Sequence, residues 1–303
     1  MKILVLGGAG FIGRHAAAAL AARGHEVIIG TRRPRRANRR LPPALHGCER
    51  REAHLHRLLS PEHWSALLDG VDVVVNAVGI LRERGAETYD RVHHRAPAAL
   101  AAACAARRIR LIHVSALGLR PDAKSGFLRS KLAGERAIAA CGRGHTIVRP
   151  SLLDGEGGYG ARWFRRVARW PVHFVPASAV GRIAALRVSD LGEAIAALCM
   201  RKDVREAELG GDRLFTYAEY LSALRPSDLG PAYRCAVPSW LARIASHVCD
   251  LMHFSPYSYG HLELMRRDNA PRYNSLPALL GRAPEPVGSP AYALELNVPR
   301  PAA

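Results

Sequence analysis

The chain contains no apolar run approaching the ~18 to 20 residues needed to cross a bilayer. Its N-terminus, "MKILVLGGAG", offers an apolar stretch of only about six residues before a glycine loop, with no A-x-A cleavage site. That stretch is expected to be a strand, and the protein to be cytoplasmic. Cysteine is sparse and scattered: Cys48, Cys104, Cys141, Cys199, Cys235 and Cys249 form no C-x-x-C pair. A zinc ribbon and a disulfide framework are thereby excluded, and free thiols in a reducing compartment are expected. His54, His56 and His63 lack carboxylate or thiol company, so they read as surface rather than metal ligands. No helix-turn-helix, zinc finger or aromatic RNA-binding signature is present, which makes nucleic acid the least favoured partner. Internal repeats are also absent.

Carboxylates are the scarcest class relative to their counterparts. There are 26 against 44 lysines and arginines, for a net charge of +18. The plain reading is compositional, arginine standing where other genomes write lysine. The sharper one is a surface attracted to phosphate, acidic lipid or an acidic partner. The segment "TRRPRRANRRLPPALHGCERR" holds eight arginines and one glutamate, so the charge is uneven. Its prolines and lack of periodicity predict a loop.

What the chain does have is a rhythm of short continuous apolar runs alternating with helical patterns. "KILVLG", "EVIIGT", "VDVVVNAVG", "IRLIHVSALG" and "HTIVRPS" read as strands. Helices are expected at Phe11–Arg23, at "SPEHWSALLDG" with Ser60 as N-cap, at Thr88–Arg108 and at Phe127–Ala140. Strands with no polar alternation mean a parallel sheet covered on both faces, an α/β Rossmann-type doubly wound architecture. One strand is missing from this count, because "CERREAHLHR" has little apolar content. After Ser151 the rhythm changes. Trp163, Phe164, Val167 and Trp170 form an apolar stripe at helical spacing, and Asp190/Glu193 and Thr216/Glu219 stand at capping-box spacing. The organisation expected is a dinucleotide-binding domain over 1–150 and a smaller mixed substrate or partner lobe over 151–303, some of whose segments return to the sheet.

"GGAGFIG" follows the first strand and opens the first helix, satisfying G-x-G-x-x-G through Gly8, Gly10 and Gly13, and G-x-x-G-x-x-G through Gly7, Gly10 and Gly13. Such a turn needs backbone angles closed to side chains, close approach of a pyrophosphate, and tight helix–strand packing. The helix N-terminus then offers unpaired N–H groups to the anion. An acid at the end of the second strand would select NAD; here the strand ends "IIGTRRP". Arg32 and Arg33 suit a 2′-phosphate, so NADP(H) is favoured over NAD(H).

The glycine loop, "NAVGI", "HVSALG", "RSKLAGE" and "IVRPS" occur in order and resemble the atypical short-chain dehydrogenase/reductases. Within these, "NAVGIL", "SALG" and "RSK..GE" are most similar to the branch of the NAD(P)H-binding accessory subunit of respiratory complex I and its bacterial relatives. The resemblance covers residues 1 to 200 and is thinner over "SYGHLELMRRDN". It implies that Gly7, Gly10 and Gly13, with Gly8, Phe11 and Ile12 in the same loop, hold the pyrophosphate. It further implies that Arg32 and Arg33 face the 2′-phosphate, that Ala77, Val78 and Gly79 line the adenosine side, and that Lys131 bonds the nicotinamide ribose. Pro150 completes the cofactor set, and Ser115 lies where the family delivers a polar residue to the nicotinamide.

Two departures follow. The family's acid beside the adenine corresponds to His54. In "GFLRSKLAGERAI" the residue four before Lys131 is Phe127, where an active reductase carries a tyrosine as general acid. Losing a positioned acid costs ~10² to 10⁴ in rate. The first function expected is therefore an NADP(H)-holding structural or assembly role, in a protein complex or on an acidic membrane surface at the periphery of the inner membrane. The alternative is an NADPH-dependent reductase or epimerase on a quinone- or isoprenoid-like substrate. In that case Lys131 donates the proton, Ser115 orients a carbonyl, and Tyr159 in "GEGGYGARW" is the substitute hydroxyl.

Overall fold

The computed structural model describes residues 1–142, 144–252 and 255–288. Its centre is a seven-stranded parallel sheet: β1 (Lys2–Leu6), β2 (Glu26–Thr31), β3 (Glu49–Glu52), β4 (Val73–Asn76), β5 (Arg110–Val114), β6 (His145–Pro150) and β7 (Glu206–Leu209). The spatial order is β7-β6-β5-β4-β1-β2-β3. β1 pairs in parallel with β2 through Ile3–Val27 and with β4 through Ile3–Val73, so the order in which successive strands are added reverses between β1 and β4. In open sheets of this type the crevice outside the carboxyl ends at that point is where ligands bind.

The continuous apolar strands bury both faces, as a parallel sheet demands. Ile3, Val5, Ile29, Val75 and Ile112 pack on one side with α1 (Phe11–Ala22) and a later helix over Val188–Met200. Leu4, Leu6, Ile28, Val74 and Leu111 pack on the other with α2 (Ala96–Ala106) and Ile138 of α3 (Gly126–Ala140). The doubly wound sheet read from the sequence is thus present.

Four local expectations are corrected. The missing strand exists as β3, sequence "ERRE", hydrogen-bonded to β2 alone. An edge strand with both faces partly in water needs no apolar alternation, and its charges protect the edge from further pairing. "SPEHWSALLDG" is not an α-helix: only a 3₁₀ turn over Pro61–Trp64 forms, and the Ser60 side chain caps nothing. Thr88–Arg108 is not one regular helix either, because a π-helical turn over Asp90–Arg95 precedes α2. That turn packs closely on α3: a Cβ on Gly134 would lie 1.9 Å from the His93 carbonyl oxygen.

The fourth correction concerns Asp190. The short strand Leu186–Arg187 runs straight into α5 (Val188–Met200), so Arg187 is the N-cap and Asp190 lies inside the first turn. There it accepts hydrogen bonds from Arg282 Nη2 (2.8 Å) and from the Glu285 N–H (2.7 Å). The capping box at Thr216 and Glu219 forms as its spacing indicates, opening a helix over Tyr217–Leu224. Trp163 and Phe164 of α4 (Tyr159–Ala168) pack inward near Leu221, whereas Trp170 falls beyond the helix and is largely exposed.

Candidate active site and dinucleotide cleft

A cleft of about 540 Å³ opens at the carboxyl ends of β1, β2, β4, β5 and β6. Gly7, Gly10, Phe11, Ile12, Arg32, Ala77, Val78, Gly79, Ser115, Lys131, Pro150 and Tyr159 all line it. Among the residues expected at the site, Gly8, Gly13 and Arg33 do not.

At one end lies the glycine loop. Gly7 sits at φ +73°, open to glycine at no steric cost, and its carbonyl oxygen faces Gly13, where a Cβ would lie 2.2 Å away. Gly13 therefore acts by packing beneath the loop, not by facing the cleft. Gly10, the N-cap of α1, has no side chain to cap the helix, and the first turn holds no acid. The first-turn N–H groups thus remain for an anion, with the helix dipole favouring negative charge. This cradle fits a pyrophosphate.

Beyond the end of β2, Arg32 makes a two-pronged ion pair with Glu87, at 2.5 and 2.7 Å. Arg40, not Arg33, is the second arginine in the cleft wall. His54 is likewise displaced from its expected place. The Ala53 N–H donates to the Thr31 carbonyl, continuing the extended edge, so Ala53 and Leu55 face the cleft while His54 turns outward to Glu52 (2.9 Å). Glu87 supplies the carboxylate that the end of β2 lacks, with His56 Nδ1 3.7 Å away.

At the other end, α3 is fixed by its own cap and by the second half of the chain. Ser125 Oγ accepts from the Leu128 N–H, and the Glu263 carboxylate accepts from the N–H groups of Lys124 and Ser125. Phe127 and Lys131, one helical turn apart, are thereby turned into the cleft. The Phe127 ring meets Tyr89 and His93 edge-on and lies under His261 of α8 (Tyr259–Met265), with centroids 5.9 Å apart and planes at 26°. His261 is also a cleft residue.

The polar groups around Lys131 hold a fixed neutral arrangement. His93 Nε2 accepts from the Ile80 N–H (3.0 Å), so Nδ1 carries the proton and donates to Ser130 Oγ (3.1 Å), which donates to the Phe127 carbonyl (3.0 Å). Asn76 Nδ2 donates to His113 Nδ1 (3.1 Å), while Asn76 Oδ1 accepts from the Val78 N–H (3.2 Å) and sets the loop beneath the cleft. Burial, and then the charge of Lys131, pushes His93 well below its ordinary pKa and His113 down to about 3. His261 is lowered to about 4, chiefly by burial.

Lys131 itself is pulled by burial down to about 8, against the opposing field of Glu135. Glu135 is committed elsewhere, to Arg149 at 2.7 to 3.0 Å. Lys131 Nζ accordingly has no hydrogen-bonded or ionic partner among the described residues, only the Phe127 ring at 6.0 Å from its centroid. Ser115 is buried, and its Oγ has no hydrogen-bond partner either. Tyr159, the first residue of α4, stands largely exposed at the rim. The sequence reading passed over His93, His113 and His261. Only "HVSALG" and "SYGHLELM" carried a signal for the last two, as quoted phrases without a role for the histidine.

Comparison with known proteins bears on this geometry. Residues 3–177 match the profile of the NAD dependent epimerase/dehydratase family. The ceramide reductase of Caulobacter vibrioides (strain NA1000 / CB15N) is 32% identical over 224 residues, 72% of this chain and 68% of that protein. Subunit 9 of the mitochondrial NADH dehydrogenase [ubiquinone] 1 alpha subcomplex of Dictyostelium discoideum is 32% identical over 117 residues, only 37% of this chain and 32% of that one. Among solved structures, the NADPH-dependent quinone oxidoreductase of Escherichia coli in complex with NADPH superposes with a TM-score of 0.71 at 16% identity, covering 98% of this chain and 100% of the other. The UDP-glucuronic acid 4-epimerase of Bacillus cereus gives 0.66 at 17% identity, covering 94% and 95%. These two likenesses carry the fold.

Proposed function

The chain belongs to the NAD-dependent epimerase/dehydratase family, and on that premise we propose that it is an NADPH-dependent reductase of a ketone borne on a long-chain amphiphile. The observation that carries this reading is Ser115 Oγ, buried without an acceptor, in the wall of the same cleft as Lys131, whose Nζ has no ion pair among the described residues. A buried donor left unsatisfied costs ~1–3 kcal/mol. A ligand oxygen reaching the cleft relieves that cost. The reductase named for ceramide supports the substrate class, being alike over most of both chains.

When bound, the reduced dinucleotide supplies the hydride. Ser115 Oγ–H donates to the carbonyl oxygen and orients it. Lys131, lowered to about 8 and so still charged at neutral pH, gives its proton to the same oxygen. The proton from Lys131 would balance that hydride, so that the ketone ends as an alcohol. Phe127 has no part in proton transfer; with His261 above it, it shapes the wall beside the lysine. Arg32 and Arg40 support the NADPH preference, tempered by Glu87, which holds Arg32.

A second reading has its own observation. Phe127 removes the family's usual acid, and the partial likeness to a complex I subunit supports a cofactor-holding role within a larger assembly. Turnover decides between them. NADPH consumption is followed with a long-chain 3-keto-amide and with a quinone. We expect turnover that falls ~10² to 10⁴-fold in Lys131→Ala and declines in the wild type as pH rises through about 8. Full thermal stabilisation by NADPH without turnover on either substrate would overturn the reductase and leave the second reading.

A further inference from the structure

The helix α7 (Ser239–Met252) exposes an apolar face that no described residue covers. Trp240, Leu241, Ile244, Val248, Leu251 and Met252 are 66, 43, 53, 47, 77 and 64% exposed. At about 100° per residue all six fall within one arc of about 120°. The opposite side is anchored: Ala242, Ser246 and Cys249 are buried there. Asp250 accepts from Arg82 Nε (3.1 Å) and from the Tyr259 N–H (2.9 Å). Six large apolar side chains in a stripe exceed what isolated surface residues explain.

Around this stripe arginine outweighs acid, and the one carboxylate of α7, Asp250, is tied to Arg82. Residues 230–249, which lead into and form most of α7, contain Arg234 and Arg243 and no carboxylate. Arg243 and His247 flank the arc, both against the Tyr259 ring. The strand Tyr233–Val237, ending one residue before α7, pairs with Val172–Pro176, and this ribbon exposes Tyr233 (81%) and Phe174 (54%). Residues 159–176, which end in that partner strand, carry four arginines and no carboxylate. Of these four only Arg165 is ion-paired among the described residues, to Asp154. A bare apolar stripe bordered on one side by Arg243 and His247, with Asp250 beyond them neutralised by Arg82, is complementary to the surface of an anionic bilayer. At 14 residues α7 spans ~21 Å. No helix among the described residues is long and apolar enough to cross a membrane. The geometry suits a helix lying in the plane of the interface.

We propose that α7 docks this protein on acidic phospholipid bilayers, its apolar arc inserted among the acyl chains and the neighbouring arginines facing the headgroups. Through Arg82, which bonds both Asp250 and the Tyr257 carbonyl, the helix is braced against segments that supply Leu81, Pro256 and His261 to the cleft. A docked protein therefore holds its cleft rim near the bilayer. The docking does not depend on the reductase reading, and its test uses no substrate.

The full chain is floated with vesicles of phosphatidylcholine alone and of phosphatidylcholine mixed with phosphatidylglycerol, at low and high salt. Binding should favour the anionic vesicles and weaken with salt. Ile244→Asp together with Leu251→Asp should reduce it at least ~tenfold, and Arg243→Ser about fivefold. Both positions are exposed, so thermal stabilisation by NADPH should be unchanged and certifies folding. Quenching of Trp240 fluorescence by brominated lipid, lost in Trp240→Phe, would support insertion. No binding to anionic vesicles, or binding indifferent to the paired aspartates, would overturn the proposal. So would a dimer in solution that those aspartates dissociate, since the face would then belong to a second copy of the chain.

Discussion

At the glycine-loop end of the cleft the groups offered to a ligand are backbone N–H groups, whereas at the Lys131 end they are side chains brought together from separate elements. The glycine loop works through what it lacks: no side chains, no acid in the first turn of α1, and no space for a methyl at Gly13. The other end works through what has no partner. Ser115 follows β5, Lys131 stands on α3 and His261 on α8, with His93 of the π-helical turn packed behind them, and no described residue pairs with the serine or the lysine. A backbone site tolerates no added volume. A side-chain site tolerates volume better than it tolerates altered protonation.

Substitution and pH can break that contrast. The largest effect is expected from Gly13→Ala. Its methyl would fall against the Gly7 carbonyl oxygen, a main-chain atom that cannot swing aside. Overpacking costs ~1–3 kcal/mol, and the ~2.7 kcal/mol that a ligand at 100 times its dissociation constant adds should vanish. Thermal melts with and without NADPH measure both, and an undiminished NADPH shift would show that the loop does not hold the pyrophosphate.

Acid should act at the opposite end. His113 and His261 are held in the folded protein at about 3 and about 4, below their ordinary value near 6.5. The unfolded chain then binds more protons below that value. Stability is thus complete above ~6.5 and is lost as pH falls toward the folded values. Because the unfolded rings are only half protonated at pH 6.5, each costs ~1 kcal/mol and the pair ~2 kcal/mol between pH 6.5 and 5.5. Melting temperatures across that range, with His113→Gln flattening the slope, provide the check. A pH-independent melt would mean that neither ring is kept neutral.

The smallest effect sharpens the comparison within the adenosine side. Glu87→Gln removes the carboxylate from Arg32 and frees one guanidinium. A charge-assisted hydrogen bond to a 2′-phosphate is worth ~1.5 kcal/mol, so the NADPH-to-NADH affinity ratio should rise roughly tenfold. Titration of both cofactors would read it. A fall in NADH affinity without a gain for NADPH would instead make Glu87 the partner of a ribose hydroxyl.

The parallel sheet and the phosphate loop were legible in the sequence because both are local. Continuous runs such as "VDVVVNAVG" leave no polar face to expose, and glycine spacing records a steric demand within seven residues. Where the reading failed, the pairing or packing of a neighbouring element decided the outcome. "ERRE" is a strand because it pairs with the open edge of β2, and the π-helical turn at His93 packs directly on Gly134 of α3. Asp190 looked like a cap until the strand Leu186–Arg187 started the helix earlier.

By itself, then, the sequence determined that the chain winds a dinucleotide-type sheet and that residue 127 has no hydroxyl, since both follow from side-chain chemistry read in order. Only the tertiary structure decided what surrounds that phenylalanine. It withdrew Glu135 from Lys131 by giving it to Arg149, left Ser115 without an acceptor, and stacked His261 over the ring from more than a hundred residues away. The reason is physical: desolvation and the pairing of charges depend on neighbours in space, and those neighbours are chosen by packing.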